Sequence, residues 1–154
     1  MAKHPAPISD LTCHVGFWLR YVSNHVSRAF ARKVEAHGVT VAEWVLLRHL
    51  VDVETLPPSR LAERMGMTRG AISKLSDRLV AKSLVKRADD RSDGRAHTLA
   101  LTPAGRALVP KLAALADAND AEFFDHLTPK ERAALLRVLK DVVEKRGLTG
   151  VPVD

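Results

Sequence analysis

Pro58-Ser59-Arg60-Leu61-Ala62-Glu63-Arg64-Met65-Gly66-Met67-Thr68-Arg69-Gly70-Ala71-Ile72-Ser73-Lys74-Leu75-Ser76-Asp77-Arg78-Leu79 is the stretch whose reading decides the fold of this chain. Leu61, Ala62 and Met65 recur at helical spacing on one face of a short helix. Pro58 suits its first position, where no backbone hydrogen bond is lost. Gly66 supplies the left-handed residue that a sharp turn between helices requires. Thr68 is an N-cap for a second helix over 68–82, whose inner face is Ile72, Leu75 and Leu79. Ala62 is small where the two helices must cross closely. The pattern is a helix-turn-helix, in which the outward face of the second helix addresses DNA. That face carries Arg69, Gly70, Ser73, Lys74, Asp77 and Arg78. A solvated surface helix would look similar, so the helix pair alone leaves both readings open.

The next residues decide between them. Leu84-Val85-Lys86-Arg87 reads as a short strand, and Ala96-His97-Thr98-Leu99-Ala100-Leu101 as its partner, with Leu99 and Leu101 on one side. The polar stretch from Ala88 to Arg95 is the expected hairpin tip. A two-stranded hairpin directly after a recognition helix is a wing, whose Arg91 and Arg95 would reach phosphates or a minor groove. Lys86 and Arg87 on its first strand join the candidate contacts. Ser59, near a helix start with free backbone N–H groups, is a candidate phosphate contact. Ser73, Lys74, Arg69 and Arg78 are candidates for base edges or phosphates, with Gly70 allowing the backbone a close approach.

Over about residues 38 to 106 these motifs resemble the multiple-antibiotic-resistance regulator (MarR) family of winged-helix transcription factors. The carrying residues are Leu61-Ala62-Glu63-Arg64-Met65-Gly66, Thr68-Arg69-Gly70 with Ser73, Leu75 and Asp77-Arg78-Leu79, and Leu84-Val85. Asp93-Gly94-Arg95 and Leu101-Thr102-Pro103-Ala104-Gly105 follow. Two positions depart from the pattern: Ser83 stands where a glycine often ends the recognition helix, and Gly94 replaces the first of two frequently adjacent arginines. The resemblance implies a mainly α fold with a small β-hairpin wing, flanked by N- and C-terminal dimerisation helices. It implies a homodimeric regulator of pseudopalindromic double-stranded DNA, a repressor released by a small aromatic or anionic ligand. Thr68 to Lys82 would enter the major groove, and Arg95, oriented by Asp93, would hold the wing.

Composition sets the limits around that reading. A chain of 154 residues fits one domain or one protomer of an intertwined oligomer. An apolar fraction of 46% suffices for a packed core, and a net charge of +6 suits a polyanionic partner. No basic amphipathic helix stands apart from the globular pattern to favour a membrane surface. Nor does any apolar run reach the length of a bilayer span. One cysteine excludes an intrachain disulfide framework and fits the reducing cytoplasm, as does the lack of a signal-peptide core.

The resulting division is a flexible arm (1–9), dimerisation helices (10–37 and 103–147), a winged helix-turn-helix lobe (38–102) and a tail (148–154). Helix one is expected from Asp10 to Gly38, with Leu11, Val15, Trp18, Val22, Val26, Ala29 and Val34 as its apolar stripe. Half of so long a helix must pack beyond its own lobe, and a second subunit is the natural partner. Thr40 to Glu43 is a capping box, followed by inward Trp44, Leu47, Leu50 and Val51. Asp52 to Leu56 reads as a connector. Thr102-Pro103 opens a long helix that Pro110 should bend or break. Thr128 to Glu131 is a second capping box, opening a helix with inward Leu135, Leu136, Leu139, Val142 and Val143 that stops at Gly147. His14, Trp18, Tyr21, Trp44 and Arg48 form a candidate crevice for an aromatic or anionic ligand. Packed rings and an ordinary surface arginine account for the same residues.

The seven histidines show no pair at the three- or four-residue spacing of a helical metal site, and no metal or other cofactor is expected. No phosphate loop, nucleophile elbow or paired-carboxylate motif supports an enzyme. Two alternatives to a ligand-released repressor remain. A winged helix can serve protein–protein contact, and one branch of the family senses hydroperoxides through a cysteine in helix one. Here Gly16 falls at that reactive position, Cys13 lies about a turn earlier, and the supporting tyrosines are replaced by Val41 and Trp44. An inert Cys13 fits that pattern better than a redox-active one.

Overall fold

A computed structural model describes residues 7–89 and 96–153. Among them the order is a three-residue 3-10 turn (Leu11–Cys13), α1 (Val15–Glu35), α2 (Val41–Leu50), α3 (Pro58–Met65) and α4 (Arg69–Ala81). β1 (Val85–Asp89), β2 (His97–Leu101), α5 (Pro103–Phe124) and α6 (Pro129–Arg146) follow. This is the expected mainly helical architecture with one antiparallel hairpin, paired from Val85 with Leu101 to Asp89 with His97.

α2 runs through the middle of the core, touching α1, α3, α4, α5 and β2. Its Leu46, Leu47 and Leu50 are fully shielded, together with Leu61 and Met65 of α3, Ile72 and Leu79 of α4, Leu99 of β2 and Leu112 of α5. Surrounded on several sides, α2 buries a wider face than one stripe. Leu46 and Glu43 therefore lie inside, while Trp44 and Val51 stop at the half-buried rim. Leu61, Ala62 and Met65 are inward as expected, and Gly66 ends α3 in the left-handed conformation with φ of 62°.

Several boundaries differ from the sequence reading, each for a local reason. Helix one does not begin at Asp10. The Asp10 carboxylate accepts the Thr12 N–H at 2.9 Å and closes a separate 3-10 turn. His14 is then extended, and α1 starts at Val15. Ala88 and Asp89 belong to β1 rather than to the tip. The connector contributes a short third pairing: Leu56 and Leu99 exchange two backbone hydrogen bonds of 2.9 Å. α5 continues unbroken through Pro110, which lies on its exposed side, where water can solvate the Arg106 carbonyl left without a donor.

Two residues explain how the wing joins α5. Ser83 takes a left-handed φ of 59°, the conformation for which a glycine is the usual choice. Its carbonyl accepts the Thr102 hydroxyl at 2.6 Å. A Cβ on Gly105, in the first turn of α5, would overlap the Leu84 carbonyl, so only glycine lets α5 seat against that turn.

α1 and α5 cross beside the lobe and are pinned by polar contacts. Lys33 Nζ donates to Asn119 Oδ1 at 2.9 Å and to Glu122 Oε2 at 2.6 Å, and Asn119 Nδ2 donates to the Val26 carbonyl. α6 opens with the expected Thr128–Glu131 capping box and ends at left-handed Gly147, yet buries no residue.

Candidate nucleic-acid interface

The α4 helix owes its orientation to its own pattern. Ile72, Leu75 and Leu79 are buried, and Ser76 joins them because its hydroxyl donates to the Ile72 carbonyl at 2.7 Å, satisfying it inside the core. The Thr68 hydroxyl caps the helix by accepting the Ala71 N–H at 3.1 Å. That leaves Thr68, Arg69, Gly70, Ser73, Lys74, Asp77 and Arg78 exposed along one surface. A Cβ on Gly70 would meet nothing within 4 Å, so the backbone there is open to close approach. Ser59 is exposed in the first turn of α3.

The wing adds two cations of different standing. Lys86 is exposed beside the outer groove formed with Glu54, Asp89 and Arg106. Arg87 is paired with Asp77 of α4. The pair links wing to recognition helix and removes part of the negative charge that Asp77 brings to an otherwise cationic face. Arg91, Asp93 and Arg95 lie outside the described residues.

A second tie holds α4 and was not legible as a pair. Lys82, the helix's C-cap residue, donates to both carboxylate oxygens of Glu43 at 2.7 and 2.9 Å, and to the Gly38 carbonyl at 2.8 Å. Glu43 is fully buried and also accepts the Thr40 N–H at 2.8 Å as half of the α2 capping box. The signal available was a glutamate three residues after Thr40, which the capping box explained by itself.

The candidate ligand residues do not form one crevice. Trp18 lines an apolar hollow of about 830 Å³ between α1 and α6, with Val15, Leu19, Val22, Phe124, Leu135 and Leu139 among its walls. Trp44 lines a smaller hollow of about 310 Å³ with Phe30, Val41, Asn119, Asp120 and Pro152. The two share only Val26 and Ser27. His14 and Tyr21 line neither hollow, and Arg48 is paired with Asp52 at 2.7 Å, away from both. Tyr21 stacks on His25 with centroids 4.9 Å apart, and Phe17, Trp18 and Tyr21 make a cluster of edge and stacked contacts on α1. Trp18 Nε1 donates to the Thr12 carbonyl at 2.8 Å. Next to Arg48, burial pushes the His49 imidazole below its ordinary value, with the charges of Arg64 and Arg48 adding to the effect.

Cys13 is exposed in the 3-10 turn rather than within α1. Its thiol donates to the Asp10 carbonyl, and the His14 Nδ1 lies 3.6 Å from the sulfur. Among the described residues no three His, Cys, Asp or Glu side chains gather as metal ligands. Among them, too, no helix is long and apolar enough to cross a membrane.

With this geometry in place, the likeness to known proteins is consistent at each level. Residues 37–96, which lie between α1 and β2, match the model of the MarR family. The chain is 30% identical over 127 residues to a candidate transcriptional regulatory protein for the hcr operon of Thauera aromatica, covering 82% of this chain and 76% of that protein. Among solved structures it resembles a variant of MarR from E. coli complexed with operator DNA, with a TM-score of 0.75 and 26% identity over 88% of this chain and 99% of that one. CouR from Rhodococcus jostii RHA1 bound to p-coumaroyl-CoA gives a TM-score of 0.77 at 25% identity, covering 94% of this chain and all of that one.

Proposed function

The chain belongs to the MarR family of transcriptional regulators, and from that premise we propose that it is a cytoplasmic homodimer that represses transcription from a pseudopalindromic DNA site until a small ligand releases it. One observation carries the DNA half of this reading. The inner residues of α4 are all buried, and what remains outside is a continuous surface of Arg69, Gly70, Ser73, Lys74 and Arg78. Ser73 and Lys74 read base edges in the major groove, Arg69 and Arg78 hold phosphates, and Ser59 adds a contact at the start of α3. Lys86, Arg91 and Arg95 anchor the wing to the backbone or minor groove. Arg87 positions the wing through Asp77. The E. coli relative bound to operator DNA supports this mode of binding.

Dimerisation follows from surface that one protomer leaves uncovered. Leu11, Val15, Trp18, Leu19, Tyr21 and Val22 are exposed on the first turns of the chain, and Leu135, Leu136, Leu139, Val142 and Val143 on α6. Contiguous apolar surface on two helices of one chain is what a second copy would cover. We assign the wide hollow at Trp18 to that face. The narrower hollow at Trp44, between α1, α2 and α5, is the effector site. Its volume suits a single aromatic ring. Its polar groups are Ser27, Asn119 and Asp120. The relative bound to p-coumaroyl-CoA supports an aromatic effector class.

The test is selection of bound fragments from genomic DNA, followed by titration on the selected site and on a scrambled duplex. Replacing Ser73 and Lys74 together by Ala should narrow the difference between the two duplexes, each specific contact being worth about 1–3 kcal/mol. A chain that binds both duplexes equally before any substitution would refute sequence-specific regulation and favour a winged helix used for protein contact.

A further inference from the structure

The segment after α6 does more than trail away. Val151 donates its backbone N–H to the Met65 carbonyl at 3.3 Å, taking one of the carbonyls that the end of α3 leaves without a helical donor. Beside it, a Cβ on Gly66 would overlap the Cα of Gly150, so both backbones meet at the turn between the two helices of the DNA-binding motif. Gly150 itself has φ of 94°, a left-handed conformation that favours glycine. Pro152 then forms part of the wall of the Trp44 hollow, together with residues of α1, α2 and α5. Val153 packs against the buried core. Within a few residues the chain thus touches the helix-turn-helix turn and the hollow, starting from a helix that buries nothing of its own.

We propose that Leu148 to Val153 is an intramolecular strap that ties α6 to the helix-turn-helix turn and closes one side of the Trp44 hollow. The turn sets where α4 begins, so the strap fixes the recognition helix relative to α6. A molecule that enters the hollow by displacing Pro152 pulls on the same short segment that is bonded to Met65. The strap itself is a statement about the free protein. Only its consequence for operator release rests on the repressor reading above.

Hydrogen exchange on the full chain and two variants tests it. One variant ends after Gly147. The other, Val151→Pro, keeps the length and removes the single N–H donor. In both, amides from Gly66 to Ala71 should exchange about two- to tenfold faster, the range expected for losing one hydrogen bond and its local support. Both should also show greater acrylamide quenching of Trp44, read in a Trp18→Phe background so that one indole reports. If the Val151→Pro variant keeps native circular dichroism while exchange at the turn and quenching of Trp44 stay at the parental level, the strap is refuted. Operator titration of the intact chain runs alongside. Failure to bind there refutes the repressor reading and leaves the exchange result standing, and an unaltered turn refutes the strap and leaves operator binding standing.

Discussion

Lys82→Met is the substitution whose cost the structure defines best. The methionine keeps most of the aliphatic stem but removes the ammonium, and with it two bonds to Glu43 and one to the Gly38 carbonyl. Glu43 cannot turn outward to water: its side chain is 1% exposed, and it is held by the Thr40 N–H. Removing one partner of a fully buried pair costs about 3–5 kcal/mol. Two features lower that figure here. The Lys82 side chain is 38% exposed, so its charge is partly hydrated already. The Thr40 N–H also continues to donate to the carboxylate. The expected loss is therefore about 2–3 kcal/mol. Urea denaturation at one fixed protein concentration should show a lower midpoint with an unchanged slope. In the Lys82→Met, Glu43→Gln double variant the carboxamide oxygen still accepts the Thr40 N–H without an unpaired charge, so more than half of the loss should return. A Lys82→Met protein within about 0.5 kcal/mol of the parent would refute the reasoning. So would single losses that simply add in the double variant.

Other expectations follow from the same structure. Ser83→Gly should stabilise by about 0.5–1 kcal/mol, because glycine relieves the left-handed backbone while giving up some entropy in the unfolded chain; an unchanged urea midpoint would contradict it. His49 is held below its ordinary value of 6.5 in the folded state, so its contribution is intact above that value and is lost as pH falls through it toward the lower folded value. Melting temperature should accordingly drop as pH falls below the ordinary histidine value, and drop less in His49→Gln. Leu139→Asp with Val143→Asp should give monomer by light scattering, or unfolded chain, and a parental protein already monomeric at micromolar concentration would remove the dimer face.

The lobe was legible because its residues answer to local rules. Gly66 at a helix end, Thr40 and Thr68 as caps and the spacing of Ile72, Leu75 and Leu79 each specify a conformation within a turn or two. Ser83 shows the strength of such rules. The position keeps its left-handed backbone with a serine in place of glycine, so the departure from the family pattern changed the side chain and left the fold alone. What escaped the sequence were pairings at a distance. Leu56 is one residue of a connector, and only the arrival of Leu99 makes it a bridge to the sheet. Gly105 read as part of a motif, and its reason is the Leu84 carbonyl, which lies across the end of the hairpin.

The candidate site divides in the same way. The cationic face of α4 was readable because a helix displays its outer residues in the order its periodicity dictates. The expected ligand crevice rests instead on residue types, grouping the rings of α1 and α2 with His14 and Arg48. Side-chain chemistry carries no information on which hollow each enters, and the structure sends Trp18 toward α6 and Trp44 toward α5. Arg48 had an acidic residue four positions later on the sequence, Asp52, and the pair forms as helical spacing allows. That local partner was the better guide to its place than the distant aromatics. Among the described residues, the hollow proposed for the effector therefore has no cation in its walls; Ser27, Asn119 and Asp120 are its polar groups. An anionic ring would have to lean on neutral donors such as the Ser27 hydroxyl, against the repulsion of Asp120. Arg132 pairs with Asp120 and offsets part of that charge. On the proposed assignment of this hollow, a neutral or hydroxylated aromatic fits these walls better than a free carboxylate, whereas the sequence left the effector as aromatic or anionic.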